Sequence, residues 1–101
     1  MPVTIGVDPH KASSTAAALD AHGHLIGQQR IAATLDGYQT LRVWAERWRQ
    51  RCWAVEGAHG LGRAVAQRLA GDDEQALDVP AKLATRVRVL FGWPRRQKRP
   101  R

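Results

Sequence analysis

Hydrophobic and polar positions alternate at the start of the chain and then change period. Val3, Ile5 and Val7 fall two apart, the spacing of a β-strand with one packed face. Pro9 has no amide hydrogen to give to a ladder, so this strand should end near it. Thr15 to Leu19 reads as a second strand and Leu25 to Ile31 as a third. Between them, Ala21 to His24 forms a turn in which Gly23 supplies the backbone freedom. Three strands in close succession predict an antiparallel meander. Leu41, Trp44, Ala45 and Trp48 then lie at i, i+3, i+4 and i+7, one face of a helix, with Arg42, Arg47 and Arg49 on the rest of its surface. Asp36 stands ahead of it as a candidate N-cap.

The apolar run Cys52 to Val55, ending in Glu56, predicts a fourth strand. Gly57, Gly60 and Gly62 lead into a second helix, with Leu61, Val65 and Leu69 in line and Gly71 as its stop. Gln75 to Val79 reads as a fifth strand. Pro80 suits the first turn of a third helix, whose Leu83, Val87 and Leu90 share one face. The element order is βββαβαβα. From Phe91 onward, F-G-W-P-R-R-Q-K-R-P-R has no usable period, and the chain holds no internal repeat.

At 101 residues and 44% hydrophobic content, the chain fits one small globular domain. No apolar run approaches the roughly 20 residues that span a bilayer, and no basic segment leads into an apolar stretch as in a secretory signal. Cys52 is the single cysteine, which excludes an internal disulfide and fits a reducing compartment. The expectation is a cytoplasmic protein with no membrane partner. The formal charge of +7 is unevenly spread: Arg95, Arg96, Lys98, Arg99 and Arg101 supply +5 of it within residues 91–101, where no acid stands. A basic block of this kind either is a solvated tail or binds nucleic acid through phosphate charge, without sequence choice.

The chemistry-bearing residues cluster at strand ends. Asp8 and Glu56 each stand where a strand gives way to a loop, and their tips would lie side by side if the first and fourth strands were neighbours. Two close carboxylates repel unless a divalent cation lies between them, and hard oxygen ligands favour Mg²⁺ or Mn²⁺. The plainer reading is two strand-end acids in solvent or capping the next helix. His10 and Lys11 could touch a phosphate, or simply form an exposed turn. His59, in E-G-A-H-G-L-G, precedes a helix N-terminus, a natural anion site. His22 and His24 make an H-x-H that lacks a third ligand and reads as a polar turn. Trp44, Trp48 and Trp53 read as core, whereas Trp93 falls in the basic tail. Ser13 and Ser14 have no evident histidine base.

Three segments in order, V-T-I-G-V-D-P-H-K, W-A-V-E-G-A-H-G-L-G-R and L-D-V-P-A-K-L-A-T-R-V-R-V-L, resemble the N-terminal domain of DEDD transposases of the insertion sequence 110 family across about residues 3–90. The resemblance implies an α/β, ribonuclease H-like (RuvC-like) βββαβαβα mixed sheet. It also implies a transposase that uses Mg²⁺ or Mn²⁺ for DNA strand chemistry, with DNA and a guide (bridge) RNA as partners; a homo-oligomer is compatible with it. Asp8 matches the first acid of the D-E-D-D set and Glu56 the second. From their charge and placement, Lys11, His59 and the tail residues Arg95, Arg96, Lys98, Arg99 and Arg101 are the nucleic-acid-binding candidates.

After V-R-V-L the family continues with a Gly-rich stretch and K-[STN]-D-x-x-D-A, which opens the final helix; this sequence carries no such segment. One synonymous back-translation of the tail, read a base later, gives S-G-G-R-G-G-K-S-D-R, as a frameshift would leave. The expectation is a partial RuvC-like domain over 1–90 with its final catalytic helix missing, a basic tail over 91–101, and no strand cleavage by the chain alone. Two other classes compete. One is a non-catalytic nucleic-acid binder working through the tail. The other is a fragment of an actin-like or sugar-kinase ATPase, against which Pro9 and His10 stand where a glycine should admit phosphate.

Overall fold

The computed structural model of the chain describes residues 2–79. The expected third helix, Trp93 and the basic tail lie outside the described residues. Five strands, β1 (Val3–Pro9), β2 (Ser13–Leu19), β3 (Leu25–Ala32), β4 (Arg51–Glu56) and β5 (Ala76–Val79), form one sheet in the order β3-β2-β1-β4-β5. The predicted meander is present: β1 pairs antiparallel with β2, and β2 antiparallel with β3. Gly23 takes a positive φ of 83° in the connecting turn. The chain then crosses over through α1 (Leu35–Ala45) to lay β4 parallel to β1, and through α2 (Arg63–Gly71) to lay β5 parallel to β4.

The period-two residues decide which sheet face is covered. Val3, Ile5 and Val7 stand beside Ala16, Ala18 and Ile31 on one side and Trp53 and Val55 on the other, all buried. Over them pack Tyr38, Leu41, Trp44 and Ala45 from α1, and Val65 and Leu69 from α2. Trp53 is fully enclosed, and its replacement by alanine would cost about 3–5 kcal/mol. Trp48 lies beyond the end of α1, meets Trp44 edge-on with ring centroids 4.9 Å apart, and rests on Gly27, where an added Cβ would come within 3.1 Å of its ring.

Two helix starts differ from the sequence expectation. Thr34, not Asp36, caps α1: its backbone is extended and its hydroxyl accepts the Gly37 N–H at 3.0 Å. Asp36 falls in the first turn, where its charge still favours the helix dipole. Leu61 is 65% exposed, because α2 begins only at Arg63, after a run of tight turns. Gly62 is held so closely to the carbonyl of Glu56 that a Cβ there would lie 2.5 Å from that oxygen.

A polar network closes the end of the sheet where β4 begins. Glu74, just ahead of β5, accepts from Arg51 Nε at 3.0 Å and Nη2 at 2.8 Å, and from the Trp53 indole at 2.7 Å. Arg42 of α1 stands 3.5 Å from Glu74 and 3.6 Å from Asp72, and its buried Nε and Nη1 make no hydrogen bond. Burial alone would raise the Glu74 pKa, but the hydrogen bonds from Arg51 and Trp53 and the nearby guanidinium charges hold it below its ordinary value. Tyr38 donates to Asp72 at 2.6 Å, and burial, reinforced by that hydrogen bond, pushes its pKa well above the ordinary phenol range.

Candidate metal centre

The sheet face opposite α1 and α2 carries the acids. Ladder pairs Ile5–Trp53, Gly6–Ala54 and Val7–Val55 put Asp8 and Glu56 next in line, at the ends of adjacent parallel strands and on the same face. Neighbouring strands are about 4.8 Å apart, so the backbones of the two acids are a single strand spacing from each other. Asp8 is 9% exposed and Glu56 half-buried. Small residues make the floor behind them: Gly6, Ala17 and Ala54 occupy one cross-strand row on this face.

Loops complete the surroundings. His10 Nε2 stands 3.6 Å from Asp8 Oδ2, while the His10 amide donates to the Ser13 carbonyl at 2.7 Å and closes the β1–β2 turn. Lys11 is exposed in the same turn, three residues after the acid. After Glu56 the chain turns at once: Gly57 takes φ 65°, and its carbonyl accepts from Gly60 at 2.8 Å and Gly62 at 2.9 Å. Glycine is needed there because other residues rarely adopt that backbone.

The structure gathers some candidates and separates others. Asp8, Glu56, His10 and Lys11 share one end of the sheet. His59 is 94% exposed at its side chain and stands 3.6 Å from Asp78 Oδ2, turned toward β5. Asp78 also accepts the Ala58 N–H at 3.1 Å, so it braces the turn after β4, a role the sequence reading misses. Its place opposite Val55 in the ladder puts it on the other face from Glu56. His22 and His24 belong to a turn: Asp20 Oδ1 accepts both of their amides at 2.9 Å. The hydrogen bond from His24 is the largest cause of a lowered Asp20 pKa. Arg95, Arg96, Lys98, Arg99 and Arg101 lie outside the described residues.

Among the described residues, no group of three or more His, Cys, Asp or Glu side chains is placed to hold a metal ion. The two carboxylates nonetheless have the donor chemistry for part of the coordination shell of one hard divalent cation. No described helix is long and apolar enough to cross a membrane.

No protein-family model matches the chain, and no curated protein does. Its structure is similar to that of the large terminase nuclease from the thermophilic phage G20c, with a TM-score of 0.64 and 20% sequence identity. The match covers 88% of this chain and 50% of that one, so the chain spans half the length of the nuclease it resembles. The likeness is one of fold alone: among the described residues, a mixed five-stranded α/β sheet with two helices, like the ribonuclease H type.

Proposed function

We propose that the chain is the N-terminal part of a RuvC-like nucleic-acid-processing domain, of the DEDD transposase kind that its sequence motifs resemble. Asp8 and Glu56 would be two carboxylate ligands of Mg²⁺ or Mn²⁺. The observation that carries this reading is the placement of both acids at the ends of adjacent parallel strands, in register and on one face. A divalent ion bound there would neutralise charge on a phosphoryl oxygen of the DNA strand. The chain's own contribution is to hold two carboxylates at a fixed spacing on a rigid sheet, with His10 against Asp8. The nuclease-type fold agrees with a nucleic-acid substrate; the guide RNA rests on the motif resemblance alone.

Asp8 and Glu56 match two of the four acids of the D-E-D-D set, and two carboxylates by themselves should hold one ion weakly and not fix the pair that strand cleavage uses. Mn²⁺ titration followed by electron paramagnetic resonance tests the site. Asp8→Asn and Glu56→Gln should each weaken binding by at least about tenfold; affinities equal to wild type would remove the reading. Mg²⁺-dependent nicking by the pure chain, abolished by Asp8→Ala, would overturn the expectation of inactivity. The five basic residues of 91–101 favour a second reading, a binder without catalysis. Loss of all nucleic-acid binding on deleting them, with no Mn²⁺ site at Asp8, would select it.

A further inference from the structure

The row of residues that contains the two acids continues across the sheet. Asp8 pairs with Thr15 in the β1–β2 ladder, and Thr15 pairs with Arg30 in the β2–β3 ladder. Directly paired residues point to the same face, so Glu56, Asp8, Thr15 and Arg30 form one line on the face away from α1 and α2. Two strand spacings put the Arg30 backbone about 10 Å from that of Asp8. Its guanidinium is exposed, and Nη2 reaches Ser13 Oγ at 3.4 Å. Among the described residues it makes no ion pair. Arg42 and Arg51 are instead tied to acids, and Arg47 lies over the Trp44 and Trp48 rings. Thr15 is half-buried in the row between Arg30 and Asp8, while Gly6 and Ala17 in the next row are buried, so the accessible line runs along the row itself.

We propose that Arg30 binds the phosphodiester backbone of a nucleic-acid strand running along this row at the end of the sheet, about one or two nucleotides from the position opposite Asp8 and Glu56. The planar guanidinium suits two phosphate oxygens at once, and Ser13 steadies it. The proposal rests on the functional reading above and adds to it a positioning contact on a strand far from both acids in sequence. The competing role for Arg30 is a charge that keeps the exposed edge strand β3 from pairing with other chains. Losing such a charge would promote aggregation and leave nucleic-acid affinity unchanged.

Fluorescence anisotropy with a labelled single-stranded oligodeoxynucleotide, run with chelator across a salt series on the full chain, separates the two. Arg30→Ala should weaken binding about fivefold at low salt and flatten the dependence of log K on log salt by about 0.7. Arg30→Lys should recover the slope and only part of the affinity. Arg49→Ala, at the opposite end of the sheet, is the control and should leave both near wild type. Equal behaviour of Arg30→Ala and Arg49→Ala overturns the proposal, and so does a wild-type chain that does not bind. Failure of the metal site leaves a different signature: Arg30→Ala still weakens binding, but Asp8→Asn leaves Mn²⁺ affinity untouched.

Discussion

Glu74→Gln tests the network at the base of the sheet most sharply. The carboxylate receives three hydrogen bonds of 2.7–3.0 Å from Arg51 and Trp53, and neutralises part of the charge of Arg42 as well. Glutamine keeps one oxygen but must turn an NH₂ group toward either a guanidinium or an indole N–H, donor against donor. It also takes a negative charge from two cations whose side chains are only 14% and 20% exposed, leaving Arg51 without its acid and Arg42 with Asp72 alone, and Arg42 already has two buried nitrogens without hydrogen bonds. Breaking a fully buried pair costs about 3–5 kcal/mol; the remaining solvent access at these side chains reduces the expected loss to about 2–3 kcal/mol. The effect carries a pH signature. The folded Glu74 pKa lies below the ordinary carboxylate value, so its stabilisation is complete above the unfolded value and is lost as pH falls through the lower, folded one. Urea unfolding followed by tryptophan fluorescence should therefore show a wild-type advantage of about 2–3 kcal/mol at neutral pH that closes progressively below about pH 4.5. A gap that stays constant into acid, or one below about 0.5 kcal/mol at neutral pH, would refute the account.

Tyr38 is the only tyrosine, so its absorbance can be titrated alone. Its raised pKa means that its contribution to stability is complete below about pH 10 and lost as pH rises toward the folded value; phenolate forming with a midpoint near 10 while native circular dichroism persists would contradict its buried hydrogen bond to Asp72. Gly62→Ala should destabilise the chain by about 1–3 kcal/mol and weaken Mn²⁺ binding in the manner of Glu56→Gln, because the new methyl meets the Glu56 carbonyl and the Val55 side chain. Gly71→Ala, with nothing within 4 Å of the added Cβ, is the matched control for stability by urea unfolding and should change neither.

The fold was legible where one residue period decided one packed face. Val3, Ile5 and Val7 located β1, and Leu41, Trp44 and Ala45 located the buried side of α1, because burial imposes the period of the element itself. Terminal details were less legible, since they depend on what the chain folds against. The close approach of Gly37 to the Ala32 carbonyl goes with a cap at Thr34 rather than Asp36. The carbonyl of Glu56 crowds Gly62, so Leu61 falls before α2 instead of on it. Asp8 and Glu56 could be paired from sequence only by supposing that their strands were neighbours, and the ladder supplies that adjacency. Glu74 gave no signal at all: in G-D-D-E-Q it looks like one of three solvated turn acids. It becomes a buried hub because the Gln75 carbonyl accepts the Trp53 amide at 2.9 Å, which brings Arg51 and the indole alongside it. Arg30 likewise gains meaning only from two successive registers, neither of which its neighbours in sequence reveal.

The seam between β1 and β4 also sets an order of events. On one side of β1 lies a meander whose strands are joined by short turns. On the other, the partners Thr4 and Cys52 are 48 residues apart in sequence. Local hairpins close in microseconds, whereas a parallel pairing must wait for its crossover and bear the larger loop-closure entropy. Asp8 therefore enters its strand early and Glu56 arrives with the slow step. The two carboxylates meet only when the non-local half of the sheet has docked, so a divalent ion that needs both will bind the finished sheet and not the early hairpin. An ion captured there would act as a latch on that last step, slowing the parting of β4 from β1 while leaving the meander's own formation rate untouched.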